Sequence, residues 1–194
     1  MTMSITIETG DITKATTEAI VNAANSDLQR GGGVCGAIFS AVQAAGGREA
    51  FENLTSACNA IGHCSTGDAT ITPSFGLAAP FIIHAVGPIW SGRPHPVDRL
   101  DGGQSTHVKE LASTYRAILR VCRDNNLTSV TIPAISTGIY GFPADLAAAI
   151  AVKVCSEDAG DIAVTLVGYN TDTTNTLRDA PTAQASALLS GLTY

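Results

Sequence analysis

The chain has 194 residues, an apolar fraction of 45%, a charged fraction of 14% and a formal net charge of −6. That length suits one domain with a sizeable core, and that composition excludes a disordered chain. The acidic balance argues against non-specific nucleic-acid binding, which needs cations to neutralise phosphates. No run approaches the roughly 20 apolar residues of a membrane span, so no membrane partner is expected.

The first residues, Met1-Thr-Met-Ser-Ile-Thr-Ile7, have no basic start and no long apolar stretch, so no secretory signal is expected. The cysteines Cys35, Cys58, Cys64, Cys122 and Cys155 are odd in number and irregularly spaced. They read as reduced thiols packed as small hydrophobes in a cytoplasmic protein. An acidic surface without an obvious apolar stripe points to a monomer.

Residues 4–9 alternate with period two and predict a strand, followed by a turn at Gly10–Thr13. Ala19–Ala24 is a short apolar strand that runs into Asn25-Ser26-Asp27, and Arg30–Gly33 is the most flexible point of the chain. Val34, Ala37, Ile38, Ala41, Val42 and Ala45 recur at helical spacing until Gly46-Gly47. Phe51, Leu54, Cys58 and Ile61 predict a second, shorter helix. Strands are expected at Ala69–Thr72 and Phe81–Val86, and residues 91–104 read as an exposed loop. A helix fits 105–126, with Val108, Leu111, Tyr115, Ile118, Leu119 and Cys122 on one face. A strand at Val130–Ile135 hands over through Ser136-Thr137-Gly138 to a helix that starts at Pro143 and turns Leu146, Ile150 and Val154 inward. A strand at Ile162–Val167 and a weaker helix at 171–190, with Pro181 as a break or kink, complete the pattern. Such alternation implies an α/β domain with a largely parallel inner sheet and helices on both faces. No repeat or linker divides it, so residues 1–194 are expected to form one domain.

Chemistry-bearing residues collect at the carboxyl ends of these strands, where α/β sheets bind ligands. Gly31–Gly33 leads into a helix N-terminus and suits a phosphate, or is a plain helix lead-in. Asp11 is a turn cap or an acceptor for an exocyclic amine, and Asn25 a turn residue or a partner for sugar hydroxyls. Tyr169 is a core aromatic or a platform for a base. Cys58, His63 and Cys64 lack the spacing and the second ligand pair of a zinc site. His84 reads as a satisfied core histidine, and Ser136 has no His–Asp partners for a serine hydrolase.

Five motifs together resemble the macrodomain family, over about residues 4–170. They are Gly10-Asp-Ile-Thr13, Ile20-Val-Asn-Ala-Ala-Asn25, Gly31-Gly-Gly-Val34 with Gly36-Ala-Ile38, His84-Ala-Val-Gly-Pro88 and Ile135-Ser-Thr-Gly-Ile-Tyr-Gly141. They are most similar to the MacroD-type ADP-ribose hydrolases. The resemblance implies a three-layer α/β/α macrodomain with a mixed, mostly parallel central sheet. It implies an ADP-ribose pocket with no cofactor and no metal. There Asp11 would hold the adenine amine beside the Ile12 backbone. Tyr169 would lie along the adenine, and Asn170 near the proximal ribose or adenine edge. Gly32, Gly33 and Val34 would wrap the diphosphate and distal ribose from one side, and Ser136, Thr137, Gly138, Ile139 and Tyr140 from the other. Asn25 would bind the distal ribose and Tyr140 would press on it. The implied reaction is hydrolysis at the distal ribose, releasing ADP-ribose from modified Asp or Glu of mono-ADP-ribosylated proteins, or acetate from O-acetyl-ADP-ribose. Nucleic acid is expected only as an ADP-ribosylated substrate.

Two positions depart from the pattern. Cys35 stands where MacroD-type enzymes carry an Asp that helps place water, and Gly33-Val34-Cys35 resembles the alphavirus branch of the family. A neutral thiol is a poor general base, so a phosphate oxygen of the ligand is the expected handler of the water. Phe39 replaces a frequent His. The rival expectation is a non-catalytic module that binds ADP-ribose without turning it over.

Overall fold

The computed structural model describes residues 5–90 and 104–190. Its strands are β1 (Thr6–Thr9), β2 (Ala19–Ala23), β3 (Ala69–Pro73), β4 (Phe81–Ala85), β5 (Ser129–Pro133) and β6 (Ala163–Gly168). Its helices are α1 (Gly33–Ile61), α2 (Gln104–Asp124), α3 (Ala144–Asp158), α4 (Thr171–Arg178) and α5 (Thr182–Ser190), with a short 3₁₀ turn at Ile12–Lys14. Ser4 and the expected loop at 91–103 lie outside the described residues, and Gln104 already belongs to α2.

The strands form one sheet in the order β1-β6-β5-β2-β4-β3. Every neighbouring pair is parallel except β3 with β4. The alternation of strand side chains divides the core in two. Ala19, Val21, Ile83, Val130, Ile132, Val164 and Leu166 pack with residues of α2 and α3. Ile20, Ile82 and Val167 pack on the other face with Cys35, Ile38, Phe39, Val42, Leu54 and Cys58 of α1. The result is three layers. The inner strands read as continuous apolar runs because both of their faces are covered.

Several boundaries differ from the sequence expectation for local reasons. The two expected helices at 34–61 follow one another directly and meet at Gly47, whose φ of 71° is non-helical. Strand β5 stops at Pro133 instead of Ile135, because the chain turns at Ile135-Ser136, where Ser136 has a φ of 66°. Pro143 caps α3 from outside instead of opening it. Its ψ of 123° is extended, while its carbonyl accepts the Ala147 N–H at 2.9 Å. The expected helix at 171–190 is two helices. The Pro181 ring and its missing N–H end helical hydrogen bonding between α4 and α5.

Candidate functional site

Four adjacent parallel strands, β1, β6, β5 and β2, bring their carboxyl ends to one edge of the sheet. The order in which the chain adds strands to the sheet reverses between β2 and β5. The path from β2 leads through α1 towards β3 and β4, and the path from β5 leads through α3 to β6. This switch point leaves a crevice between the loops that follow the two strands. The loops after β1 and β6 extend the crevice to one side.

The crevice has two connected parts. The outer part encloses about 640 Å³ and is lined by Asp11, Ile12, Gly33, Val34, Ala37, Thr137, Gly138, Val167 and Tyr169. The inner part encloses about 210 Å³, with Asn25, Gly31–Cys35, Gly87, Ser136 and Gly138–Tyr140 in its walls. Gly33, Val34, Ala134 and Gly138 border both. The two parts are lined by every residue expected in the ligand pocket except Asn170. Asn170 is instead the N-cap of α4, its Oδ1 accepting the Thr173 N–H at 2.8 Å.

Both jaws of the crevice present backbone donors. Gly32 is the N-cap of α1 and has no side chain to satisfy the first amides of the helix. The N–H groups of Gly32, Gly33 and Val34 meet no protein acceptor among the described residues, and neither do those of Thr137 to Tyr140. No acidic side chain stands in the first turn of α1. Free N–H groups at the positive end of a helix suit an anion. The jaws close on each other at one point: a Cβ on Gly32 would lie 3.0 Å from Ile139 Cδ1. Ile139 is otherwise 80% exposed.

At the outer end, Asp11 caps its turn and also borders the crevice. Its Oδ1 accepts from Thr13 N at 3.0 Å and Thr13 Oγ1 at 2.7 Å, which caps the 3₁₀ turn. Asp11 still lines the crevice, and among the described residues it is the only acidic one in either part. Tyr169 is 77% exposed, so it is no core aromatic, and it stands across the apolar wall made by Val34, Ala37 and Val167.

At the inner end, Asn25 holds its own loop. Its Nδ2 donates to Gln29 O at 2.8 Å and its Oδ1 accepts the Gln29 N–H at 3.0 Å. One amide hydrogen and one oxygen lone pair remain for a ligand. Cys35 is buried, accepts the Gly31 N–H at 3.3 Å and points its thiol towards Gln29 O at 3.6 Å. Burial, and then the neighbouring Cys35, raise the pKa of Tyr140 above the ordinary phenol value.

Sequence reading passed over the buried polar chain beneath this end. Asn22 Nδ2 reaches Cys35 Sγ at 3.7 Å and His84 Nδ1 at 3.1 Å. His84 Nε2 reaches Thr72 Oγ1 at 2.9 Å. Asn22 and His84 are register partners in β2 and β4, so the sheet itself aligns them. The available signal was a polar Asn22 inside an apolar strand. Burial lowers the pKa of His84 to about 4, so the ring is neutral. It is the satisfied core histidine expected from its strand. Ser136 Oγ has no protein partner among the described residues, so no His–Asp pair activates it. Among the described residues no group of His, Cys, Asp and Glu could hold a metal ion, and no helix is long and apolar enough to cross a membrane.

The family model described as Macro domain matches residues 21–151. A macro domain-containing protein of Lactiplantibacillus plantarum is 40% identical over 176 residues, covering 88% of this chain and 92% of that protein. An O-acetyl-ADP-ribose deacetylase of Salmonella gallinarum is 41% identical over 161 residues, covering 81% of this chain and 80% of that protein. An Oceanobacillus iheyensis macrodomain mutant solved with ADPR superposes with a TM-score of 0.75 at 34% identity, over 94% of this chain and 92% of that one. The sheet order, the crevice at the switch point and these matches agree: the chain belongs to the macro domain family.

Proposed function

We propose that this protein, as one macrodomain over residues 1–194, binds ADP-ribose in the crevice and hydrolyses its esters. The substrates on this reading are mono-ADP-ribosyl groups on acidic residues of proteins and O-acetyl-ADP-ribose. The carrying observation is the pair of facing jaws, Gly32–Val34 and Thr137–Tyr140, whose amides are left free for a diphosphate. The Salmonella relative's name and the ADPR-bound neighbour support the same ligand.

The two ends of the crevice orient that ligand. Asp11 accepts from the adenine amine beside the Ile12 backbone, and Tyr169 lies along the base. Asn170 supports this end as the cap of the helix that follows Tyr169. The distal ribose then reaches the inner end, where Asn25 holds it with its remaining donor and acceptor and Tyr140 presses on it. Among the described residues no carboxylate lines the inner part. A ligand phosphate oxygen therefore positions the attacking water, and Cys35 fastens the Gly31 loop. On this reading the chain is a MacroD-type hydrolase whose Gly33-Val34-Cys35 loop departs from that group and resembles the alphavirus branch. The water's OH bonds to a carbon of the ester linkage at the distal ribose as that C–O bond breaks, leaving a ribose hydroxyl and the free carboxylate, or acetate, with the remaining proton released. Holding the reactants in one geometry supplies the main acceleration.

The absence of an inner carboxylate also favours one second reading, a module that binds ADP-ribose without hydrolysis. The deciding experiment incubates the protein with a transferase auto-modified on Asp or Glu. Release of label with tight ADP-ribose binding supports the hydrolase. Tight binding with the label retained supports the binding module and sinks the hydrolase.

A further inference from the structure

Beside the crevice lies a second cavity that the ADP-ribose reading leaves unused. It encloses about 220 Å³ between α3 and α4. Ala134, Thr137, Gly138 and Tyr169 form a wall that it shares with the outer part of the crevice. Its floor is apolar, since Tyr115, Ala147, Ala148 and Leu177 line it and are otherwise buried. The room is there because α3 lines it with Ala144, Ala147 and Ala148, where longer side chains would fill it.

The rim of this cavity is acidic. Asp172 lines it, and Asp145 and Asp179 join Asp172 around the adjoining surface hollow. Among the described residues no Lys, Arg or His lines either of them. Asp145 and Asp172 also stand in the first turns of α3 and α4, so each positive helix end already has a carboxylate beside it. An anion entering the cavity meets like charge, whereas an uncharged group with apolar surface gains by burying it.

On the ADP-ribose reading the base lies at Asp11 and Tyr169 and the diphosphate between the jaws. The adenosine ribose then spans the wall that the two cavities share. We propose that the second cavity seats a small uncharged acyl group carried on a hydroxyl of the adenosine ribose, so that the protein accepts ADP-ribose acylated there and rejects ADP-ribose phosphorylated there. The proposal rests on ADP-ribose binding in the crevice and adds a subsite at the end away from the distal ribose.

Calorimetry tests it with ADP-ribose, ADP-ribose carrying an N-methylanthraniloyl group on the adenosine ribose, and ADP-ribose phosphorylated on that ribose. The parent should bind the acylated ligand about tenfold more tightly than ADP-ribose, and the phosphorylated ligand about fivefold more weakly. Ala144→Phe and Ala148→Leu fill the cavity from an exposed and from a buried position. Each should remove the acyl advantage and keep ADP-ribose within about twofold, in protein whose melting temperature shows it folded. Asp172→Asn should lessen the penalty on the phosphorylated ligand and leave ADP-ribose unchanged. Equal or weaker binding of the acylated ligand by the parent overturns the proposal. So does an acyl advantage that survives in both filled variants, which would seat the group outside the cavity. A parent that binds the phosphorylated ligand as tightly as the acylated one also overturns it. A parent that binds none of the ligands instead removes the ADP-ribose reading itself.

Discussion

Cys35 Sγ lies 3.3 Å from the amide nitrogen of Gly31, so this thiol is committed to the loop just before it. The sulfur closes the turn that carries Gly31–Gly33, with Asn22 behind it at 3.7 Å. A side chain spent on the loop acts on the ligand through geometry. Cys35→Ser, which keeps a donor and an acceptor, should stay within about threefold of the parent in turnover and share its pH–rate profile. Cys35→Ala leaves the Gly31 amide without its acceptor and should weaken ADP-ribose by a few fold. A rate limb between pH 6 and 9 that vanishes in Cys35→Ser would instead reveal a thiolate base.

Asn25 fastens the neighbouring segment through both of its polar atoms. Asn25→Ala should therefore cost about 1–2 kcal/mol of stability, read by urea denaturation, as well as the ribose contact. Turnover should fall about a hundredfold, since a small displacement at a reacting sugar has that order of effect. Unchanged turnover with lowered stability would confine Asn25 to the loop.

Gly87→Ala tests the close approach at the inner wall. Its Cβ would stand 2.2 Å from Ser136 Oγ and 2.6 Å from Ile135 Cγ2. Relief requires two buried side chains to move, and overpacking of this kind costs about 1–3 kcal/mol. Gly32→Ala is the contrast. Its Cβ meets only the tip of the exposed Ile139 at 3.0 Å, so stability should change by less than about 0.5 kcal/mol. The Ile139 δ-methyl resonance should shift all the same. Equal melting temperatures for the two variants would contradict this distinction.

His84 sets a pH dependence. Burial holds its pKa at about 4, against 6.5 for the free side chain. Between these values the unfolded chain binds more protons than the folded one, so stability rises with pH. The contribution is complete above about pH 6.5 and is lost as pH falls towards 4. On acidification from pH 7 to pH 4.5, the parent should lose about 2 kcal/mol more than His84→Gln in paired urea titrations. Parallel losses in the two proteins would show that His84 does not titrate in this way.

Much of this molecule was legible in the chain. Period-two and period-3.6 patterns marked the layers, because a covered parallel sheet needs apolar strands and one-sided helices. The Gly-rich loops were legible because only small residues let two backbones approach a ligand. The sequence by itself determined the α/β/α order, the break at Gly47 and the membership carried by the five motifs. It left Asp11, Asn25 and Tyr169 each with two meanings, since a capping carboxylate, a turn amide and a core ring look alike in one dimension.

The tertiary structure decided those meanings by position. Asp11 both caps and lines the crevice, Asn25 is bound to Gln29, and Tyr169 is exposed on the crevice wall. It made Asn170 the N-cap of the helix that follows Tyr169. It also joined Asn22 to His84 across strands 62 residues apart, and left Ser136 Oγ unpaired against Gly87. The physical reason is the same in each case. Hydrogen-bond satisfaction and close approach depend on what the fold brings alongside, and strand register and the switch point between β2 and β5 settle that only after the layers have packed.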